Sequence, residues 1–220
     1  WSFGGRGGRE SSSCDPPGID TRGMGGFDLK RAGFYYINDD TIRGNRIFLG
    51  GGGGTGTRIS GRVTTGGGDG GGIVVIIADS IVGNGHSIIA DGESVDDEAT
   101  GAGGGGGGGG AIVLDVGAYS STLSLQAVGG NGGDTNYPGD TTGPGGGGGG
   151  GIYWFGGLLH AELDMELTGK AESGLYIPGS DSYGAEEGTR AGQLNNLRAP
   201  LRGFLFNTVP DEFTVCADEV

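Results

Sequence analysis

The chain has 220 residues, of which 58 are glycine and only 7 are proline. Collagen is excluded because the glycines come in blocks rather than at every third position, and the β-type apolar runs between the blocks argue against a wholly disordered chain. A net charge of −14 argues against nucleic acid or anionic lipid as a partner. No apolar run is long enough to cross a bilayer, so membrane insertion is not expected.

The N-terminal segment, residues 1–43, is predicted to cap whatever body follows it. It contains Cys14, and the only other cysteine, Cys216, lies close to the opposite end of the chain. A disulfide between them would tie the two terminal segments together in an oxidising compartment. Two separate thiols are the alternative, and sequence spacing does not decide between them.

Three segments in the middle of the chain share one order of features. Each has a glycine block, an apolar strand, a short turn, a second strand and a polar loop. The strands are predicted to start at Ile73, Ile112 and Ile152, which implies repeats of 39 and then 40 residues. We therefore expect a glycine-rich β-repeat body over residues 44–170. Residues 171–220 would then be a C-terminal cap or the boundary to a following domain.

The strands of these repeats show two patterns. The continuous apolar run Ile73–Ile77 predicts a strand that is buried on both faces. The second strands alternate, so that Leu123, Leu125 and Ala127 are predicted to point inward. The run 159–167 alternates in the same way, with its leucines, Ala161 and Met165 facing inward and His160, Glu162, Asp164 and Glu166 on the opposite face.

These patterns predict an all-β fold, either a parallel β-helix (solenoid) or a β-sandwich with glycine-rich loops. Two interpretations of the glycine blocks remain open. They could be packed as extended three-fold helices joined through backbone N–H and C=O groups. They could instead be flexible connectors between ordered strands.

Four glycine blocks and the strands next to them are similar to a known family. The segments are Asn45–Gly56 (NRIFLGGGGGTG), Gly70–Gly85, residues 105–116 (GGGGGGAIVLDV) and Gly143–Phe155. Together they resemble the glycine-rich region of the giant gliding-motility adhesins and related surface proteins of the type IX secretion system of Bacteroidota. The resemblance covers roughly residues 20–170.

This resemblance implies a secreted, extracellular segment of a much longer cell-surface protein, without catalytic activity. It implies a role in adhesion, gliding motility or an extracellular filament. Its partners would be the secretion machinery and the other segments of the same protein. It also implies O-glycosylation at Asp-Ser/Thr triplets, which places candidate sugars on Thr41, Ser80 and Thr141.

Carboxylates in two polar loops are candidate ligands for Ca²⁺, which binds six to eight oxygens. Asp91, Asp96 and Asp97 lie in one loop, and Asp134 and Asp140 lie in the matching loop of the next repeat. Stacking of the repeats would bring the two loops together. No EF-hand spacing is present, and a solvated acidic loop is the simpler interpretation.

Two further function classes stay open. One is a Ca²⁺-dependent carbohydrate-binding module that recognises surface glycans, with Tyr137-Pro138 as an exposed sugar-stacking candidate. The other is a polysaccharide-active β-helix enzyme using Asp39, Asp40 and Arg43, although nothing in the sequence places these residues in one cleft. We therefore assign no catalytic residue and expect a non-enzymatic protein.

Overall fold

The computed structural model describes residue 25 and residues 47–57, 61–138, 142–156 and 159–194. Every regular element in these residues is a strand. The strands are β1 (Ile73–Val82), β2 (Ser87–Ile89), β3 (Ala111–Ser120), β4 (Leu123–Gln126), β5 (Ile152–Phe155), β6 (Leu163–Met165) and β7 (Gly192–Leu194).

The strands form two parallel sheets, with orders β1-β3-β5-β7 and β2-β4-β6. The chain alternates between the sheets, so each coil contributes one strand to each, and about three coils form a β-solenoid. The predicted β-helix is confirmed, and the alternative of a β-sandwich is wrong because every strand pairing in the two sheets is parallel. The first sheet continues through β7, beyond the predicted end of the repeat body at residue 170.

The register between coils differs by one residue from the register that the leading isoleucines predict. Val74 pairs with Ile112, and Ile112 pairs with Tyr153. All three side chains belong to the core between the sheets. Register follows the alternation of inward and outward positions, because a slip of one residue would move every core side chain to the outer face. Ile73 therefore faces Ala111 and not Ile112.

The core lies between the two sheets and is made of aliphatic and aromatic side chains. Ile112, Leu114 and Leu125 are fully buried there. The Tyr153 ring crosses the core, where its hydroxyl donates to the Glu166 carbonyl (3.0 Å) and accepts from the Ala127 N–H (2.9 Å). Tyr153 thus joins the two sheets by hydrogen bonds as well as by packing.

The prediction that Ile73–Ile77 is buried on both faces is wrong. Ile73 and Val75 keep 39% and 45% of their surface exposed. Within the described residues β1 is the first strand of its sheet, and its outer face is only partly covered. The runs that are buried on both faces are the whole of β5 and the first four residues of β3.

The inward positions of the second strands are confirmed for β4, whose Leu123 and Leu125 are buried together with Ala127. In the third coil the alternation predicted from residue 159 starts later. Leu163 is buried and Met165 packs against the core, whereas Leu159 and Ala161 are exposed. The physical reason is a turn before β6, which the Leu163 N–H closes by donating to the His160 carbonyl (3.2 Å).

Glycine tracts form the other half of each coil, next to the strands. The central tract (101–110) leads into β3, and all ten of its residues are buried. Its neighbours are the outer tract (50–56), the preceding tract (65–72), the following tract (142–151) and two return segments (90–95 and 127–134) that run back between the second strands and the loops.

Successive N–H groups of the central tract donate hydrogen bonds to three different neighbours in turn, so each neighbour receives a bond from every third residue. This period is that of an extended three-fold helix, which has no internal hydrogen bonds and directs its polar groups to its neighbours. Donors and acceptors pair as Gly103–Gly143 (3.1 Å), Gly106–Gly146 (3.0 Å) and Gly109–Gly149 (2.8 Å) to the following tract, Gly105–Gly54 (2.8 Å) and Gly108–Gly51 (2.7 Å) to the outer tract, and Gly107–Glu93 (2.9 Å) and Gly110–Ala90 (2.7 Å) to the first return segment.

Carbonyl groups of the same tract receive bonds from the remaining neighbours. Gly105 accepts from the Gly68 N–H (2.9 Å), and Gly107 accepts from the Gly130 N–H (2.8 Å). The interpretation of the tracts as packed three-fold helices is therefore confirmed, and the interpretation as flexible connectors is wrong for these residues.

Close approach of backbones explains why these positions are glycine. A Cβ added at Gly106 would overlap the carbonyl oxygen of Gly130, and one at Gly148 would overlap that of Gly107. Gly72, at the end of the preceding tract, is different because an added Cβ would meet nothing within 4 Å.

Hydrogen bonding in the tracts does not by itself drive folding. Ordering one backbone residue costs about 1–2 kcal/mol, and glycine loses more freedom than other residues. A hydrogen bond returns only about 0.5–1.5 kcal/mol net. The tracts are therefore neutral at best, and the favourable free energy comes from the apolar core in the strand half.

We predict that Gly106→Ala lowers the free energy of unfolding by about 3 kcal/mol or more, because the added methyl group forces two hydrogen-bonded backbones apart. Gly72→Ala is the matched control. It should be neutral or stabilise by up to about 1 kcal/mol, because the methyl group has room and restricts the unfolded chain. Urea denaturation of the full chain measures both variants. Equal stability of the two would contradict the packed-tract structure.

The hydroxyl of Tyr153 provides a second test. Tyr153→Phe leaves the buried Ala127 N–H and the Glu166 carbonyl without this partner, which should cost about 1–3 kcal/mol. Tyr137→Phe, at a tyrosine with 40% of its surface exposed, should change stability by less than about 0.5 kcal/mol. A Tyr153→Phe variant as stable as Tyr137→Phe would show that the hydroxyl does not join the sheets.

Candidate functional site

The solenoid has two rims, and their turns differ in kind. The strand rim is formed where first strands lead into second strands, at Gly83–His86 and at Ser121 and Thr122. These turns are tight and bonded to one another, since the Asn84 N–H donates to Ser121 Oγ (2.7 Å) and the Gly85 N–H donates to the Thr122 carbonyl (2.9 Å).

The tract rim is formed where return segments lead into the next glycine tract. Its described loops are 96–100, 136–138 and 177–185. Loops that vary from repeat to repeat on one face of a solenoid are often its binding face. The tract rim also carries Asp96, Asp97 and Tyr137, which the sequence predicted as candidate binding residues, and it is therefore the candidate functional site.

Two of the predicted calcium ligands are used to connect coils. Asp91 Oδ1 accepts from the Val128 N–H (2.7 Å), and Asp134 Oδ1 accepts from the Leu175 N–H (2.7 Å), one coil further on in each case. Burial raises the pKa of the Asp91 carboxyl, and the hydrogen bond from Val128 opposes that shift only in part. Each of these two carboxylates therefore joins its return segment to the next one by a hydrogen bond.

The other predicted ligands are not gathered into a cluster by the described residues. Asp96 and Asp97 are exposed on the first loop, and Asp140 lies outside the described part of the chain. Over the described ranges no group of three or more His, Cys, Asp or Glu side chains is placed to hold a metal ion. The calcium site therefore stays a prediction.

Three tyrosines meet at the tract rim. Tyr176 lies beside Tyr183 with ring centroids 5.2 Å apart in an edge-on arrangement. The Tyr176 hydroxyl donates to the Tyr137 carbonyl (3.3 Å), and the Arg62 guanidinium lies 4.3 Å from the centroid of the Tyr137 ring. Of these three, only Tyr137 was predicted from the sequence as a sugar-stacking candidate. A signal for Tyr176 was available, because it follows Tyr137 by about one repeat length, but the repeat spacing does not mark Tyr183.

The last of these loops holds its shape through its own bonds. Tyr176 forms an antiparallel bridge with Asp181, and Asp181 Oδ1 accepts from the Tyr183 N–H (2.9 Å). Ser180 and Tyr183 have φ of 51° and 46°, in the left-handed region that non-glycine residues rarely adopt. Such strain persists only where surrounding contacts impose it, and it is concentrated at functional sites.

The predicted polar face of the third coil has local structural roles at two positions. The Glu166 carboxylate accepts from the Gly169 N–H (2.6 Å), the Thr168 hydroxyl (2.8 Å) and the Thr168 N–H (2.9 Å). These bonds lower the pKa of Glu166. His160 packs against the Tyr119 ring at the strand rim, with centroids 4.8 Å apart.

Of the remaining candidates, only Ser80 is described. It is exposed in β1, as a modified residue must be. The others lie outside the described residues and stay predictions: Thr41 and Thr141 for glycosylation, Cys14 and Cys216 for the disulfide, and Asp39, Asp40 and Arg43 for catalysis.

No family model, curated protein or solved structure matches the chain. In the described part of the chain, no helix has the length and apolar character needed to cross a membrane.

The Glu166 cap predicts a pH dependence of stability. The pKa of Glu166 is lower in the folded chain than its ordinary value of 4.5. Its stabilising contribution is therefore complete above that value and is lost as pH falls through the folded pKa. Glu166→Gln should lower the denaturation midpoint at pH 6 but have a smaller effect at pH 3. Asp91 is present in both proteins, so its opposite pH dependence cancels, and an equal difference at the two pH values would contradict the assignment.

Proposed function

We propose that the chain is a non-catalytic segment of a secreted cell-surface adhesin or fibre, with a structural and adhesive role in surface attachment or gliding motility. The observation that carries the proposal is the hydrogen-bonded lattice of glycine tracts. This lattice is joined mainly through backbone groups, which makes the coil a support for its rims.

The chemical character of the two halves supports a structural role. The central tract is buried, and its backbone N–H and C=O groups form hydrogen bonds with the neighbouring tracts and return segments. The strand half is filled by apolar side chains. Polar side chains able to meet another molecule are therefore concentrated on the rims and outer faces, where an adhesin presents its contacts.

Connections between coils support the role in a filament. Adjacent coils are bonded through the parallel strands, through the tracts and through rim side chains such as Asp91 and Asp134. A load applied to one coil is shared among many hydrogen bonds. The acidic charge of the chain also suits a position exposed to solvent, because a high net charge keeps a protein soluble.

The likeness of the glycine blocks to gliding-motility adhesins supplies the proposed setting. The chain would be extracellular, would pass through the type IX secretion machinery, and would be joined to further segments of the same long protein. Sugars on Ser80, Thr41 or Thr141 would follow from export in such bacteria.

The proposal is tested on the producing cells with an antibody raised against the chain. We expect protease added to intact cells to remove the antigen, and the intact polypeptide to be far larger than 21.8 kDa. Tryptic peptides should carry sugar on at least one of the three triplets. An antigen that resists external protease until the cells are lysed would contradict the surface location, and a mass near 21.8 kDa would contradict the long fibre.

A further inference from the structure

We propose that the tract rim binds neutral oligosaccharides on a platform made of Tyr137, Tyr176 and Tyr183. This inference rests on the proposed adhesive function and gives it a site and a ligand class. It needs no metal ion, and so differs from the calcium-dependent module considered from the sequence.

The three rings are held together by the solenoid itself. Thr135 and Tyr176 form a parallel bridge between successive coils, which places the Tyr137 and Tyr176 loops side by side. The Tyr176 hydroxyl bonds to the Tyr137 backbone carbonyl, and the Tyr176 ring makes an edge-on contact with the Tyr183 ring, so the Tyr176 side chain joins the two loops. Repeat stacking, rather than local sequence, builds the platform.

Access to the platform is open on the Tyr137 side. Tyr137 keeps 40% of its surface exposed although the Arg62 guanidinium covers part of its ring. Leu175 and Ile177, on either side of Tyr176, are exposed to a similar degree. The exposed Tyr137 ring, with the half-buried Tyr176 and Tyr183 and an apolar border beside it, suits the C–H face of a pyranose ring.

Polar groups beside the rings suit sugar hydroxyls. The Asn136 side-chain amide donates to Glu98 Oε2 (2.9 Å), so an amide and a carboxylate lie next to Tyr137 as a donor and acceptor pair. Asp96 and Asp97 are exposed on the same loop as Glu98. This concentration of negative charge disfavours sialylated or sulfated sugars, which is why the proposed ligand is neutral.

The platform is also formed in advance of binding. Bonds within loop 177–185 fix its backbone, including the strained residues Ser180 and Tyr183, and the Tyr183 ring packs against the Tyr176 ring. Binding to such a site avoids the cost of ordering a loop. The turns described at 83–86 and 121–122 of the strand rim are instead short and occupied by bonds to each other.

The full chain is screened against an array of immobilised glucose, mannose and galactose oligosaccharides, with sialylated oligosaccharides on the same array. We expect binding to at least one neutral oligosaccharide. Calorimetry with the best binder should show that Tyr137→Ala weakens affinity at least about tenfold, because it removes the exposed aromatic ring on which the sugar stacks. Tyr137→Phe, which keeps the ring, should stay within about twofold of the original chain.

Leu159→Ala is the matched control, because it removes a side chain of similar exposure (42%) near the strand rim. It should leave affinity unchanged. Denaturation midpoints of all variants are compared, so that loss of binding is not confused with loss of fold. Binding should also persist in EDTA.

Four results would overturn the platform: no bound neutral oligosaccharide, binding of sialylated sugars alone, unchanged affinity in Tyr137→Ala, or loss of binding in EDTA. These outcomes are separate from the test of surface location. A chain exposed on a large surface protein that binds no sugar would keep the fibre proposal and lose the platform. A chain that binds sugar but resists external protease would keep the platform and lose the fibre proposal.

Discussion

Direct hydrogen bonding between glycine backbones is the constraint on which the rest of the structure depends. Sheets separated by side chains pack about 10 Å apart, whereas hydrogen-bonded chains lie about 5 Å apart. Each coil therefore narrows from its strand half to its glycine half, and the transition falls where the central tract enters β3. The stacking of coils then places the loops of successive coils side by side at the tract rim.

The two halves of a coil contribute differently to stability. Apolar burial around Ile112, Leu125 and Tyr153 supplies the driving force, and the tracts add order at little net gain. Neither half suffices alone, because the strands need a fixed register and the tracts need their entropy loss offset. This division explains how a chain with 58 glycines among 220 residues can hold a single structure.

Much of the fold could be predicted from the sequence, because repeats and alternation are local patterns. The all-β class, the repeat body and the inward positions of β4 followed from them. The register could not, since it depends on which of two faces each isoleucine of the first strands occupies. The exposure of Val75 could not either, because an apolar run does not show its place in a sheet. At the site, Tyr137 was predicted from the sequence and Tyr176 could have been, whereas Tyr183 and the coil-joining roles of Asp91 and Asp134 required the stacking of coils.

Uniformity of the glycine tracts has a consequence for the order of folding. Because residues 103–110 of the central tract are all glycine and their bonds recur every third position, this run displaced by three residues would find nearly equivalent partners over much of its length. The glycines of this run do not themselves distinguish the correct alignment from the displaced one. That information comes from the strands and from side chains next to the run, such as Thr65, whose hydroxyl accepts from the Gly104 N–H, so we expect these to align first and the tracts to close afterwards. A change of tract length by three glycines would be absorbed at the rim, which gives such a scaffold a simple way to vary its loops while its core stays the same.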